Sequence, residues 1–342
     1  MLVFGTMQFM KTLPKLTVMI VTLNNERSLT RCLQTVTTQD YPKANIEYLL
    51  IDGGSIDKTK QIAKTFGFRV FDSPISRDAE AQRGVGLKLA KNNLIVSLDA
   101  DNYLPHKNWL RRMVQPFIDD PDVVHAHTLH YTYISKAEPF NRYCALFGMA
   151  DPIVYYVGLP DRVVQYQKNW KLGANIKETS DYWLVDFTME SLPTVGCNGV
   201  LFRRDVLLQN AQSDPEHFLH IDVFADVVRA GYSRFAVVKT DVIHDTAIGL
   251  RFLLKKRIAF LSSYYLKRSV KRRYLIYDPK RGGDRLKLAL YVLYTVTLVK
   301  PLLDGFRGFL EIPDPAWFLH PIVCWIYLYA YGMASAKKAF LS

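Results

Sequence analysis

Two aspartates separated by one residue give the strongest chemical signal in the chain. Asp99 and Asp101 follow the apolar run of residues 94–98, which is typical of a buried strand. Carboxylates clustered at a strand end are hard oxygen ligands for Mg²⁺ or Mn²⁺, and such an ion can hold a diphosphate. Acidic turns are common, so this pair indicates a metal site only if other ligand-binding motifs lie at neighbouring strand ends.

Two more polar segments come directly after predicted strands. Residues 22–26 read Thr-Leu-Asn-Asn-Glu, and residues 52–57 read Asp-Gly-Gly-Ser-Ile-Asp. Glycines let the backbone approach a ligand closely, and Asp or Asn side chains can bond a base or ribose. Either segment alone would be a helix cap or a turn. At adjacent strand ends, the two together predict a nucleotide site.

The elements that position these residues follow from alternation of short apolar runs with amphipathic segments. This pattern is typical of βαβ units and predicts an α/β fold with a mostly parallel sheet flanked by helices. We predict strands at residues 16–22, 48–52, 69–71, 94–98, 123–130, 194–202 and 235–238, and helices at 27–38, 59–66, 78–90, 107–117 and 216–230. Residues 136–192, rich in Tyr, Trp and Pro, predict irregular loops and short helices around a pocket.

Together the motifs resemble family 2 of the glycosyltransferases, which has the GT-A fold. They are Thr22-x-Asn24-x-Glu26, Asp52-Gly53-Gly54-Ser55-x-Asp57, Arg83-x-x-Gly86-x-x-x-Ala90 and Asp99-Ala100-Asp101. Their order and spacing match the family over residues 16 to about 245. The resemblance implies binding of a nucleotide-diphosphate sugar, with uracil or guanine as the base, and inverting transfer of the sugar.

The resemblance also implies roles for single residues. The nucleoside contacts would be Thr22, Asn24, Glu26, Asp52 and Asp57. Arg83 would lie near the sugar diphosphate, Asp99 would meet ribose and metal, and Asp101 would bind the metal. Gly84 departs from the Asn that members of the family often have.

Downstream positions are matched to the acceptor side and to the catalytic base. Asn198 and Gly199 resemble the family's acceptor segment, although a simple turn explains them equally well. Asp222 fits the position of the base, while Ile221 departs from the usual Glu. A sugar hydroxyl gains from a carboxylate that removes its proton, whereas a lipid phosphate needs no base. His244 is predicted either as a further metal ligand or as a structural histidine.

Charge is concentrated in one segment. The 342 residues carry a formal net charge of +12, and residues 251–287 hold 13 Lys/Arg against two Asp. This block alternates with aromatic and aliphatic residues and precedes the most apolar part of the chain. We therefore predict binding to an anionic membrane surface rather than to nucleic acid, with an ordinary surface helix as the alternative for 251–274.

The last third is predicted to associate with membrane. Residues 316–336 lack charged side chains and approach the ~20 residues that span a bilayer, so we predict one transmembrane helix there. Residues 288–299 are too short to span and favour an interfacial or re-entrant helix. A pair of buried core helices is the alternative for both segments.

These observations predict three regions: a GT-A catalytic domain at 1–250, a basic interfacial segment at 251–285 and membrane-associated helices at 286–342. We expect a metal-dependent enzyme on the cytoplasmic face of the cell membrane that acts on a lipid-linked acceptor: a polyprenyl phosphate, a polyprenyl-diphosphate glycan or a glycolipid. The alternatives are a non-catalytic membrane-binding scaffold, a soluble or protein acceptor, and a nucleotidyltransferase. The last is disfavoured because residues 22–26 lack glycine.

Overall fold

The computed structural model describes residues 12–246, 249–262, 272–278, 281 and 283–341. Its strands are β1 (Leu16–Thr22), β2 (Ile46–Asp52), β3 (Arg69–Asp72), β4 (Leu94–Asp99), β5 (Asn102–Tyr103), β6 (His125–Tyr131), β7 (Ala174–Glu178), β8 (Tyr182–Asp186), β9 (Val200–Arg203) and β10 (Arg234–His244). Its α-helices are α1 (Glu26–Thr37), α2 (Thr59–Thr65), α3 (Ala79–Leu89), α4 (Trp109–Asp119), α5 (Pro139–Phe147), α6 (Pro152–Val157), α7 (Arg204–Asn210), α8 (His220–Arg229), α9 (Leu250–Leu261), α10 (Asp284–Thr297), α11 (Val299–Glu311) and α12 (His320–Leu341).

The strands form one mixed sheet in the order β3-β2-β1-β4-β9-β6-β10-β8-β7, with β5 paired to β10. Strands β3, β2, β1 and β4 run parallel, as predicted. The other half of the sheet is mixed, because β6 and β10 run parallel to each other whereas β8 and β9 run in the opposite direction. Strand β9 lies antiparallel between β4 and β6, and β8 lies antiparallel to β10. Apolar content marks these strands in the sequence, but it does not encode their direction.

Both faces of the sheet are buried, which explains the nearly continuous apolar runs. On one face, Met19 and Val21 of β1 pack with α3 and α8. On the other face, Val18 and Ile20 pack with α1 and α4. The four parallel strands are thereby held firmly between helices, and their carboxyl ends form a rigid edge.

The C-terminal helices pack onto the α/β fold through α5 and α6, which are short helices of the kind predicted for residues 136–192. Trp317, in a 3₁₀ turn at Pro315–Leu319, is fully buried with aromatic residues of α5. His320 at the start of α12 lies between the hydroxyls of Tyr143 and Tyr156, each 3.0 Å from a ring nitrogen. This contact joins the two parts of the chain.

The predicted transmembrane helix at residues 316–336 is not found. Among the described residues, no single helix has the length and apolar character needed to cross a bilayer. Helix α12 packs one face against protein, with Val323, Cys324 and Tyr327 buried. Helices α10 and α11 are bent by 79° relative to each other, and together they do reach the required length and composition.

The predicted basic helix of residues 251–274 is described only in part. Helix α9 covers its beginning, and residues 263–271 lie outside the described residues. Residues 272–274 run alongside α8 and are fixed there by Asp222.

Candidate active site

The loops that follow β1 and β2 are tied to each other at the carboxyl edge of the sheet. Asn24, whose φ of 51° is left-handed, donates its backbone N–H to Ser55 Oγ at 2.8 Å and accepts from Ile56 N at 2.9 Å. Glu26 Oε2 accepts from Lys58 N at 3.1 Å, and Asp57 Oδ2 accepts from Glu26 N at 3.2 Å. The structure thus brings the predicted nucleoside contacts together in one double loop.

Two of those predicted contacts lie beneath the loop surface. Asp52 is fully buried, and its Oδ1 accepts from the backbone of Gly54 and Ser55 at 2.9 and 2.6 Å. Thr22 is also buried, and Gln82 fixes its backbone N–H. The oxygens of Asp52 hold the shape of the loop in this structure, and its direct contact with a nucleoside stays a prediction. Thr22 likewise offers little surface to a ligand.

Asp99, which is half-buried, and the buried Arg83 form an ion pair beside this loop. The guanidinium of Arg83 contacts Asp99 through Nη2 and Glu80 through Nη1, the latter at 3.0 Å. Burial raises the pKa of Asp99, although Arg83 opposes the rise. Burial would also raise the pKa of Glu80, but His220 and Arg83 bring it down to about 2. Acidic and basic side chains therefore alternate here, in the order Glu80, Arg83 and Asp99.

Asp101 faces His244 across the pairing of β5 with β10. In this pairing His244 lies opposite Asn102, and its Nε2 is 3.8 Å from Asp101 Oδ1. Asn102 accepts from Asp99 N at 2.9 Å and donates to Asp101 at 3.2 Å, so it orients the turn. Burial raises the pKa of Asp101 to about 6 and lowers the pKa of His244 to about 4.

This donor set fits a divalent cation. A magnesium ion lies about 2.1 Å from each ligand, so atoms 3.8 Å apart can share one ion. A carboxylate and a neutral imidazole also suit Mn²⁺. Asp99, the third predicted ligand, is turned toward Arg83. Within the described ranges, the trio of potential ligands whose atoms lie within 4.8 Å of one another is instead Asp214, Glu216 and His217, on the protein surface.

Asp222, the predicted catalytic base, is occupied elsewhere. Its side chain is 1% exposed and pairs with Arg272 at 3.1 Å. It also accepts from the backbone N–H groups of Arg273 and Tyr274, at 3.0 and 3.2 Å. In this structure Asp222 holds residues 272–274 to α8, and its assignment as the base stays a prediction.

The predicted acceptor residues Asn198 and Gly199 rest on a buried arginine that the sequence did not indicate. Arg162 contacts the carbonyl of Asn198 and pairs with Asp161 at 2.7 Å. Its guanidinium also lies over the ring of Tyr131, 4.1 Å from the centroid. Gly199 has a φ of +66° and leaves no room for a Cβ beside Val242. The Asn-Gly turn is thus fixed close to β6 and β10.

Two other residues of this edge also escaped the sequence analysis. Lys256 of α9 is exposed and acts electrostatically on both Asp101 and His244. Glu80 is buried one helical turn before Arg83. The only signals available for them were the basic content of residues 251–287 and an acidic residue in a helix, neither of which indicates a site.

The carboxyl edge of the parallel strands thus brings together the double loop, the Asp-x-Asp turn and the imidazole of His244. Residues 17–161 match the family described as glycosyl transferase family 2. Residues 17–161 are therefore similar to a family 2 glycosyltransferase domain.

Among similar proteins are two archaeal ones. Glycosyltransferase AglE of Haloferax volcanii is 31% identical over 143 residues, which are 40% of this chain and 47% of AglE. A Methanococcus voltae protein, named as a dolichyl N-acetyl-α-D-glucosaminyl phosphate 3-β-D-2,3-diacetamido-2,3-dideoxy-β-D-glucuronosyltransferase, is 29% identical over 109 residues, or 30% of this chain and 33% of that protein. The matched segments thus span less than half of either relative.

The fold is shared with the mannosyltransferase PcManGT from Pyrobaculum calidifontis, solved with GDP-Man and Mn²⁺. Its TM-score to this chain is 0.51 at 14% identity, and the alignment covers 96% of this chain and 89% of PcManGT. A likeness at this level of identity concerns the fold.

Proposed function

We propose that the protein is an inverting glycosyltransferase that moves a sugar from a UDP- or GDP-sugar to a lipid-linked acceptor at the cytoplasmic face of a membrane. The acceptor would be a polyprenyl phosphate, a polyprenyl-diphosphate glycan or a glycolipid. The observation that carries this proposal is the pair Asp101 and His244, facing each other beside Arg83 and the nucleotide loops.

Each group at the edge has a part in the proposed transfer. The double loop, with Asn24, Glu26 and Asp57, would bind the nucleoside. Asp101 and His244 would hold Mn²⁺ or Mg²⁺, which supplies positive charge to the diphosphate as it leaves. Arg83 is already aligned by Asp99 and Glu80, so it can add fixed positive charge without reorganising.

The lipid side of the proposal is supported by the surface of the bent helix pair. Several large apolar side chains are exposed along α10 and α11: Leu286, Leu293, Val296, Val299, Leu302, Leu303, Phe306 and Leu310. Arg285, Lys287 and Arg307 are exposed on the same helices. Apolar side chains mixed with cations are typical of segments that lie at an anionic bilayer surface. The Methanococcus voltae relative is named for transfer to a dolichyl-linked acceptor, which also supports this part of the proposal.

A donor panel tests this proposal. Purified full-length protein with Mn²⁺ is incubated with UDP- and GDP-sugars, with and without a native lipid extract, and released nucleoside diphosphate is measured. We expect release that needs one particular donor together with the lipid fraction. Release without lipid would instead favour a soluble or protein acceptor. No release and no donor binding would favour a non-catalytic scaffold of the same fold.

A further inference from the structure

The first residue of α8 is connected to the metal-binding edge through buried charges. His220 Nδ1 lies 2.9 Å from Glu80 Oε1, and its backbone N–H donates to Glu80 Oε2, also at 2.9 Å. Glu80 in turn holds Arg83, which contacts Asp99. His220 is therefore joined to the Asp-x-Asp turn by a continuous chain of three polar contacts.

The orientation of this imidazole leaves one nitrogen available. A carboxylate accepts hydrogen bonds, so Glu80 fixes the tautomer that carries its proton on Nδ1, and Nε2 has the free lone pair. Nε2 makes no hydrogen bond within the described part of the chain, and the side chain is 24% exposed. The carboxylate is 7% exposed and would be well placed to stabilise an imidazolium.

A glycine on α3 makes this contact possible. A Cβ at Gly84 would lie 2.8 Å from Pro215 Cα and 3.2 Å from Phe218 Cβ. The segment that leads into α8 therefore packs on α3 only because position 84 has no side chain. This close approach brings His220 within reach of Glu80, on the same helix as Gly84.

We infer that His220, oriented by Glu80, is the catalytic base, and that the acceptor attacks through a hydroxyl group of a sugar rather than through a lipid phosphate. This inference rests on the proposed glycosyl transfer. Asp222 already pairs with Arg272 and accepts a hydrogen bond from the backbone of Arg273, so we assign the role of base to His220.

The acceptor oxygen forms a bond to the anomeric carbon, the bond from that carbon to the diphosphate oxygen breaks, and the nucleoside diphosphate leaves with the electron pair. The hydroxyl proton passes to His220 Nε2, and the imidazolium is stabilised by Glu80 until it releases the proton to water. A phosphate acceptor carries no such proton at neutral pH and would not use this dyad.

Three variants test the assignment: His220→Ala, His220→Gln and, as a matched control, His106→Gln, which changes a half-buried histidine that bonds Thr240. Each is assayed with the donor selected in the panel and with two acceptors, polyprenyl phosphate and a polyprenyl-diphosphate monosaccharide. Donor affinity is measured by calorimetry and folding by thermal melting.

We expect wild type to use the monosaccharide acceptor. Both His220 variants should lose roughly 100-fold or more in kcat, while their donor affinity stays within about twofold of that of wild type. The control variant should have the activity of wild type. Added imidazole should restore part of the activity of His220→Ala, which a purely structural role would not allow. Wild-type rates in the His220 variants, loss without imidazole rescue, or transfer to the phosphate acceptor alone would each overturn the inference. If wild type neither binds a donor nor transfers, the proposed function itself has failed.

Discussion

At the scale of single residues, the site is built from charges that are buried but paired. Asp101 and His244 differ in that they lie 3.8 Å apart, and burial moves the pKa of each toward its neutral form. Removing a charge from water is costly unless a partner compensates. A divalent cation between the two groups would provide that compensation, so we expect the pair to be the part of the edge most sensitive to mutation.

Replacing Asp101 with Asn should abolish metal-dependent donor binding. Loss of outer-shell partners alone typically costs 10–100-fold in metal affinity or activity, so loss of a ligand should cost more than about 100-fold. Calorimetric titration of a UDP- or GDP-sugar with and without Mn²⁺ measures this. Asp122→Asn, an exposed aspartate that precedes the amino end of β6, serves as the control. Unchanged Mn²⁺-dependent binding in Asp101→Asn would contradict the metal assignment.

Arg162 is a structural counterpart to these residues. Its side chain is fully buried, and it supports Asp161, Thr128 and the carbonyl of Asn198. Removing one member of a buried pair leaves the other uncompensated, so Arg162→Met should lower the free energy of unfolding by ~3–5 kcal/mol. Denaturant unfolding measures the loss. The double variant with Asp161→Asn should recover part of it, and equal stability of wild type and Arg162→Met would contradict this account.

At the scale of elements, the sequence predicts the bounds of a strand or helix best where local residues alone determine them. β1 was predicted with its observed bounds, and α2 with an end one residue away. The Asp-x-Asp turn and the nucleotide loops also lie at the predicted strand ends. In βαβ units the strands run parallel, so their carboxyl ends lie at the same edge of the sheet. The antiparallel β9 was found as a strand but not in its direction, since direction depends on contacts distant in sequence.

The partners of Asp222 could not be predicted for a similar reason. Its position in a motif is local, but its partners at 272–274 lie fifty residues away, and no local pattern shows them. His220 was passed over for the same reason, because its partner Glu80 is 140 residues distant. Chemistry that depends on such long-range pairs cannot be inferred from spacing along the chain.

The junction between α12 and the catalytic fold should weaken in acid. Burial, with a contribution from Lys300, lowers the pKa of His320 to about 3. A group whose folded pKa is depressed binds its proton more readily when unfolded, so its contribution to stability is present above about pH 6.5 and is lost as pH falls toward 3. Thermal melting between pH 7 and 4 should show this loss, and His320→Asn should reduce the slope. An identical slope in the variant would contradict it.

At the scale of the whole molecule, the C-terminal helices present two different surfaces. One surface packs onto α5 and α6 and holds the helices to the catalytic fold. The other leaves a row of large apolar residues of α11 facing outward, with Leu303 59% and Phe306 53% exposed. A contiguous apolar face of this kind marks an interaction surface, and we expect it to bring the protein to the height of lipid-linked acceptors.

Replacing Leu303 and Phe306 together with Glu should release the protein from lipid. Burial of each side chain contributes ~1.5 kcal/mol or more, so losing both should weaken binding at least roughly 100-fold, while the fold is kept because neither residue is buried. Flotation of full-length protein with vesicles containing anionic lipid measures this. Ile176→Glu is the matched control, since it also adds a charge at an exposed apolar position, 49% exposed on β7.

Lipid composition and salt then separate the apolar contribution from the charged one. Exposed charges are screened beyond about 8 Å at physiological ionic strength, so high salt should weaken the remaining binding of the double variant more than it weakens that of wild type. Zwitterionic vesicles should have the same effect, since they lack the charge that attracts Lys and Arg. If the double variant floats as wild type does under every condition, the exposed face of α11 is not the membrane surface, and the lipid-linked acceptor loses its structural support.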